Sequence, residues 1–159
     1  MSVYLGIDIG TSGTKTLAIR ENGRIIAGAT FEYPLSSPRP GWSEQDPHDW
    51  WQASIKSVRK VLRDGRIKPA TVAGIGLSGQ MHGATLLDGA DRPLRPAILW
   101  NDCRSVEACF ELEAAVPEAR AITGNMAMPG FTRGTSACAF LPGMAFSQNA
   151  PNTGDQPRA

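Results

Sequence analysis

The feature that most constrains how this chain can fold is an apolar run that stops at a carboxylate, turns through glycines and hydroxyls, and comes straight back. It reads Tyr4-Leu5-Gly6-Ile7-Asp8-Ile9-Gly10-Thr11-Ser12-Gly13-Thr14-Lys15-Thr16-Leu17-Ala18-Ile19. The pattern predicts strands over 3–7 and 14–19 joined by a tight hairpin. Glycines let the backbone approach a ligand closely, and successive N–H groups in such a turn form a concavity that attracts anions. Asp8, where the first strand ends, is placed to hold a water-bridged Mg²⁺ beside that anion. These are parts for binding a nucleotide's phosphates, with Gly10, Thr11, Ser12, Gly13, Thr14 and Lys15 as the cradle. An ordinary polar hairpin with an exposed aspartate fits the same residues. The other common phosphate loop does not fit, because it needs Gly-Lys-Ser/Thr feeding a helix, whereas Lys15-Thr16 runs on into a strand.

The remaining pattern is that of an α/β protein. Glu21-Asn22-Gly23 signals a turn, and a third strand over 24–30 extends the hairpin into an antiparallel meander. After a Pro- and Ser-rich loop over 33–44, Asp46-Pro47-His48-Asp49 marks a helix start: a capping carboxylate, a proline at the first helical position and an acid at the positive dipole end. Trp51, Ile55, Val58 and Leu62 then recur at helical spacing and are expected to form its buried face. Residues 72–77 read as a buried strand and 84–87 as a shorter one. A second helix is expected over 105–116, with Val106, Cys109, Phe110 and Leu112 inward.

Composition excludes several function classes. Sixteen Lys and Arg against 15 Asp and Glu, mixed along the chain, leave a net charge of +1. That balance points to neither nucleic acid nor an anionic membrane. No apolar stretch approaches the roughly 20 residues of a membrane span, and no signal pattern precedes the first strand. Cys103, Cys109 and Cys138 are too few and wrongly spaced for a disulfide framework or a zinc site. With His48 and His82 the only histidines, a His-rich metal site is excluded. A soluble cytoplasmic protein is the expectation.

Two further segments carry chemistry. Ser78-Gly79-Gln80-Met81-His82-Gly83 lies at the C-terminal end of a predicted strand, where ligands of α/β sheets gather. Gln80 and His82 offer donors and acceptors suited to a sugar, or they merely satisfy a local turn. In Arg95-Pro96-Ala97-Ile98-Leu99-Trp100-Asn101-Asp102-Cys103-Arg104, Trp100 suits the C–H face of a sugar, and Asn101, Asp102 and Arg104 suit its hydroxyls. Equally, Trp100 fits a core position, and Asp102 fits an N-cap for the second helix with Arg104 paired to it.

The opening motif, Gly41-Trp42-Ser43-Glu44-Gln45-Asp46-Pro47 with Trp50-Trp51, Gly79-Gln80-Met81-His82-Gly83 and residues 95–102 occur in one order with sensible gaps. As a set they resemble the N-terminal part of the FGGY carbohydrate kinases, a branch of the sugar kinase, Hsp70 and actin superfamily, and within it the xylulose kinases. Met81-His82 discriminates, since glycerol kinases have a Gln-Arg-Glu run there. The resemblance extends to Thr123-Gly124-Asn125 and Met128-Pro129-Gly130-Phe131-Thr132. It implies a ribonuclease-H-like α/β domain, incomplete here, and ATP with Mg²⁺ as cofactors. The implied reaction is transfer of the γ-phosphate of ATP to the 5-hydroxyl of D-xylulose, with Asp8 near the metal and important for activity. The implied sugar site comprises Met81, His82, Trp100, Asn101 and Asp102. The resemblance also leaves a homodimer open for full-length members of the family, and implies a catalytic base and adenosine pocket beyond Thr132. Another sugar or polyol of the same family, or a non-catalytic fragment, are the alternatives.

Residues 1–132 are thus expected to form a partial kinase domain. Residues 133–159 leave the family pattern, lack periodicity and are dense in Gly, Pro, Ser, Asn and Ala, so they are expected to be an unrelated, disordered tail. A frameshift or premature end, or a natural short variant, would account for the break.

Overall fold

The computed structural model describes residues 2–132 and 134–136. The chain is built on a mixed four-stranded sheet in the order β3-β2-β1-β5. β1 (Val3–Ile9) and β2 (Gly13–Arg20) form the expected antiparallel hairpin, with Ile9 opposite Thr14. β3 (Ile25–Glu32) extends the meander after a turn in which Gly23 adopts φ 79°, a left-handed conformation that glycine takes without steric cost. The fourth strand, β5 (Val72–Gly79), joins the other edge of β1 in parallel. Parallel neighbours need a crossover connection, and the chain supplies it with α1 (Pro47–Asp64). The start of α1 follows the sequence: the Asp46 carboxylate accepts the His48 N–H at 2.8 Å, with Pro47 leading the helix. A short ribbon of β4 (Glu44–Gln45) and β6 (Ala97–Ile98), paired antiparallel, holds the segment before α1 against the segment before Trp100.

The buried face of α1 differs from the expected one. Ala53, Ser54, Ser57 and Val61 are buried, whereas Trp51 is 63% exposed. Ile55, Val58 and Leu62 are half-buried at the margin. The small side chains decide this, because they let the helix approach the sheet closely. The hydroxyls of Ser57 and Thr16, both fully buried, satisfy each other at 2.7 Å, removing the cost of burying them alone. Above this contact Val61 packs into a core with Val3, Leu5, Ala18 and Ala29.

Three other expectations change. β5 (Val72–Gly79) forms where predicted but is not buried, with Ile75 60% and Leu77 74% exposed. α1 lies over β2 and β3, barely touches β1, and leaves that face of β5 uncovered among the described residues. No strand forms over 84–87. Asp88 there accepts the N–H groups of Ala90 and Arg92, closing a local turn that leaves only isolated bridges from Ala84 to Ile98 and from Leu87 to Pro93. In α2 (Val106–Ala115), Ala108 and Cys109 point inward while Phe110 is 71% exposed and Val106 is also exposed. The predicted disordered tail lies outside the described residues, except for 134–136. There Thr135 is buried and its N–H donates to the Phe131 carbonyl at 3.0 Å.

The corrected helix face has a measurable consequence. Val61→Ala should lower stability by about 2 kcal/mol through lost burial and the cavity left behind. Trp51→Ala, on the solvent side, should change it by less than about 0.5 kcal/mol. Urea denaturation of the two variants checks the ranking, and a larger loss for Trp51→Ala would restore the original face.

Candidate functional site

The C-terminal ends of β1 and β5 lie side by side, with Asp8 beside Ser78 and Ile9 beside Gly79. The hairpin turn over 10–12 and the loop over 80–83 leave the sheet together at this end. Within the turn, the Gly10 N–H donates to the Gly13 carbonyl at 3.1 Å. The Gly10 carbonyl accepts the Tyr33 hydroxyl. Burial raises the pKa of Tyr33 and the Asp8 charge adds to it, so at neutral pH the phenol remains a donor. Gly13 packs so tightly on β3 that a Cβ would lie 2.7 Å from the Phe31 carbonyl oxygen. Only glycine fits there.

Asp8 is exposed on the sheet face away from α1 and accepts the Ser78 hydroxyl at 2.6 Å. Lys15 stands opposite it across the hairpin. Gly6, Gly76 and Leu17 complete a shallow basin around this pair. Ser12 is exposed. Thr14, expected in the cradle, has its side chain fully buried on the helix side instead, so its hydroxyl does not face the turn.

Beneath the turn lies a polar network that the sequence reading did not identify. Gln45, on β4, is only 2% exposed. Its Nε2 donates to the Thr11 carbonyl at 2.6 Å and its Oε1 accepts from Trp50 Nε1 and Gln80 Nε2, each at 3.0 Å. Gln80 in turn accepts the Thr11 hydroxyl at 3.2 Å, and its backbone N–H donates to the Ile9 carbonyl at 2.9 Å. The Thr11 hydroxyl also accepts the indole N–H of Trp100 at 3.2 Å. The glycine turn, the start of the 80–83 loop and Trp100 are therefore joined through Thr11.

Of the predicted sugar residues, Met81 is 66% exposed and Trp100 45% exposed, so both present apolar surface at this end. His82 sits at φ 63°, and its ring stacks on Phe131 with centroids 3.9 Å apart and an interplanar angle of 12°. Thr132 donates its hydroxyl to the His82 carbonyl at 3.3 Å. Gly130 makes this stacking reachable, since a Cβ there would fall 2.0 Å from the Trp100 carbonyl oxygen. Asn101 is exposed.

Asp102 is placed differently. It is 1% exposed. One oxygen accepts the Ser43 N–H at 2.6 Å, and both accept from the Arg104 guanidinium at 2.7 and 2.9 Å. Arg104 also binds Glu44 at 2.6 Å and stacks 3.6 Å above the Trp42 ring. Glu44 binds Arg95 as well. Burial opposes the charge on Arg104, but the hydrogen bonds to Asp102 and Glu44 outweigh it and raise its pKa above the ordinary value. Asp102 does not cap α2 either, because its second oxygen accepts the Arg104 N–H. It anchors an internal ion cluster, its oxygens engaged by Ser43 and Arg104. The pairing with Arg104 is the part of the sequence reading that the geometry reproduces. For Trp42 and Glu44 the signal was their closeness in a segment that reads as loop.

Residues 3–135 match the family model for the N-terminal domain of the FGGY family of carbohydrate kinases. The chain is 50% identical over 130 residues to the xylulose kinase of Escherichia coli, covering 82% of this chain and 26% of that protein. Among solved structures it superposes on the xyloylose kinase of Brucella ovis with a TM-score of 0.79 at 50% identity, covering 84% of this chain and 28% of that one. The xylulose kinase of Rhodospirillum rubrum gives 0.73 at 31% identity, with coverage of 79% and 26%. The chain thus spans about a quarter of the length of the curated relatives it matches. These likenesses bear out the expected α/β fold, a fragment of the actin, Hsp70 and sugar kinase architecture.

Removing one member of a buried ion pair strands its partners' charges and costs about 3–5 kcal/mol. Arg104→Met should therefore destabilise the chain by about 3 kcal/mol, read as a lowered melting transition by circular dichroism. A melting curve like that of the unsubstituted chain would deny the cluster its structural role.

Proposed function

The chain belongs to the FGGY family of carbohydrate kinases, and from this premise we propose that it forms the sugar- and phosphate-facing wall of a xylulose kinase. The reaction is transfer of the γ-phosphate of ATP to the 5-hydroxyl of D-xylulose. One observation carries the reading. The glycine turn, the Met81-His82 loop and Trp100 converge on Thr11 at the ends of two parallel strands, so phosphate and sugar would lie against one continuous surface.

In this reading the backbone of residues 10–13 receives the phosphates, and Lys15 contributes positive charge beside them. His82, held by Phe131, hydrogen-bonds a sugar hydroxyl, while Met81 and Trp100 form apolar walls and Asn101 offers an exposed amide. Asp102 is left out, because its oxygens are already engaged. Phosphoryl transfer depends mainly on positioning and on stabilising charge on the phosphate oxygens. The base that takes the hydroxyl proton is expected from outside these residues.

Asp8 suits Mg²⁺ of the kind that arrives with a nucleotide. Such an ion is held by one or two carboxylates plus substrate phosphates and water, not by an all-protein cage. Asp8 is an exposed carboxylate beside the glycine turn, fixed on one side by Ser78. The described residues include no cluster of three or more metal-binding side chains. When bound, the ion would supply positive charge that offsets the charge on the phosphate oxygens. Asp8 would orient its water shell.

The test is a chimera joining residues 1–135 to the remaining part of the E. coli xylulose kinase, assayed for ADP release. Xylulose-dependent turnover is expected. Asp8→Asn should retain xylulose binding and lose most turnover. His82→Ala should weaken xylulose binding several-fold, as expected for about 0.5–1.5 kcal/mol per hydrogen bond, with ATP affinity unchanged. A folded chimera that turns over gluconate or glycerol in preference to xylulose would overturn the substrate assignment.

A further inference from the structure

We propose that Gln45 is a positioning residue that locks the phosphate turn to the sugar loop, so that the two substrate sites keep their mutual geometry. The inference rests on the functional reading above but concerns a residue that would touch neither substrate.

The hydrogen bonds form a closed ring of three residues. The Thr11 hydroxyl donates to the Gln80 amide oxygen, the Gln80 NH₂ donates to the Gln45 amide oxygen, and the Gln45 NH₂ donates back to the Thr11 carbonyl. The capacity of Gln45 is filled on every side, with Trp50 as the second donor to its oxygen and the Pro34 carbonyl, at 3.4 Å, as the second acceptor of its NH₂. Flipping the amide would set its NH₂ against two donors, so the ring has one polarity. Gln45 is nearly inaccessible to solvent, and water cannot replace a lost member cheaply. Thr11 belongs to the turn, Gln80 precedes Met81-His82, and Gln45 is fixed by its pairing with Ala97 on β6. Trp100, on the same segment as β6, closes onto Thr11 from the other side. A shift of the turn relative to the loop must therefore break a ring bond.

Two measurements decide the proposal, and the first needs no activity. In ¹⁵N-labelled chain, Gln45→Met should move the indole N–H resonance of Trp100, whose hydrogen-bond partner is the Thr11 hydroxyl rather than Gln45. An unmoved Trp100 resonance in a folded variant overturns the ring. The second uses the chimera. Gln45→Met should raise KM for xylulose and for ATP together, each about fivefold or more, the equivalent of about 1 kcal/mol at each site. Thr11→Val should produce a similar rise, and the Gln45→Met/Thr11→Val pair should be little worse than either alone, since coupled members of one network are non-additive. A lowered melting temperature with both KM values unchanged would reduce Gln45 to a structural residue and overturn the proposal. Absence of xylulose turnover in the unsubstituted chimera would instead contradict the functional reading, while the Trp100 resonance would still decide the ring.

Discussion

A single buried amide organises this end of the molecule. The outward-facing parts of the site, a glycine turn and a short loop, have little apolar surface with which to hold themselves. They gain a fixed relation because Gln45 sits beneath both, with its hydrogen-bonding groups satisfied at 2.6 to 3.4 Å. A buried polar group is costly when unpaired and specific when fully paired. Hydrophobic burial could bring the same segments together, but it is non-directional and would not select one register between them.

A second buried network supports the first. Asp102, Arg104, Glu44 and Arg95 tie β4 to the segments on both sides of β6, with Trp42 stacked under the Arg104 guanidinium. Such clusters contribute little net stability compared with apolar packing, since desolvation offsets the Coulomb attraction. What this one contributes is geometry: it fixes the strand carrying Gln45 and the loop carrying Trp100 in one frame. The aliphatic core under the sheet, centred on Val61, is separate from both networks and holds α1 in place.

The sequence carried the local devices clearly. The hairpin, the meander and the start of α1 follow from β-branched runs, Gly and Asn turns and an Asp-Pro cap, all of which act within a few residues. It carried long-range choices less well. Helical periodicity pointed to Trp51 and Ile55, but the sheet chose the stripe of Ala53, Ser57 and Val61, because close approach outweighed side-chain size. The apolar run over 72–77 could not reveal that α1 would leave it uncovered. The same limit applied to the site. Asp8, the glycine turn, Met81, His82 and Trp100 all lie at one end of the sheet, as their positions at strand ends suggested. The roles of Asp102 and Gln45 depended on partners up to 59 residues away, and spacing alone does not encode those. Thr14 shows the finer version of this limit: strand alternation buries its hydroxyl two residues after the turn ends.

Phosphate and sugar should therefore occupy adjoining parts of one surface, the first against residues 10–13 and the second against Met81, His82 and Trp100. The most direct measurement is a crystal structure of the chimeric kinase with D-xylulose and a non-hydrolysable ATP analogue. The account predicts the sugar between His82 and Trp100, the terminal phosphate over the turn, and Gln45 still bonded to Thr11 and Gln80 below them. A sugar bound away from His82, or phosphates that bypass the glycine turn, would contradict it.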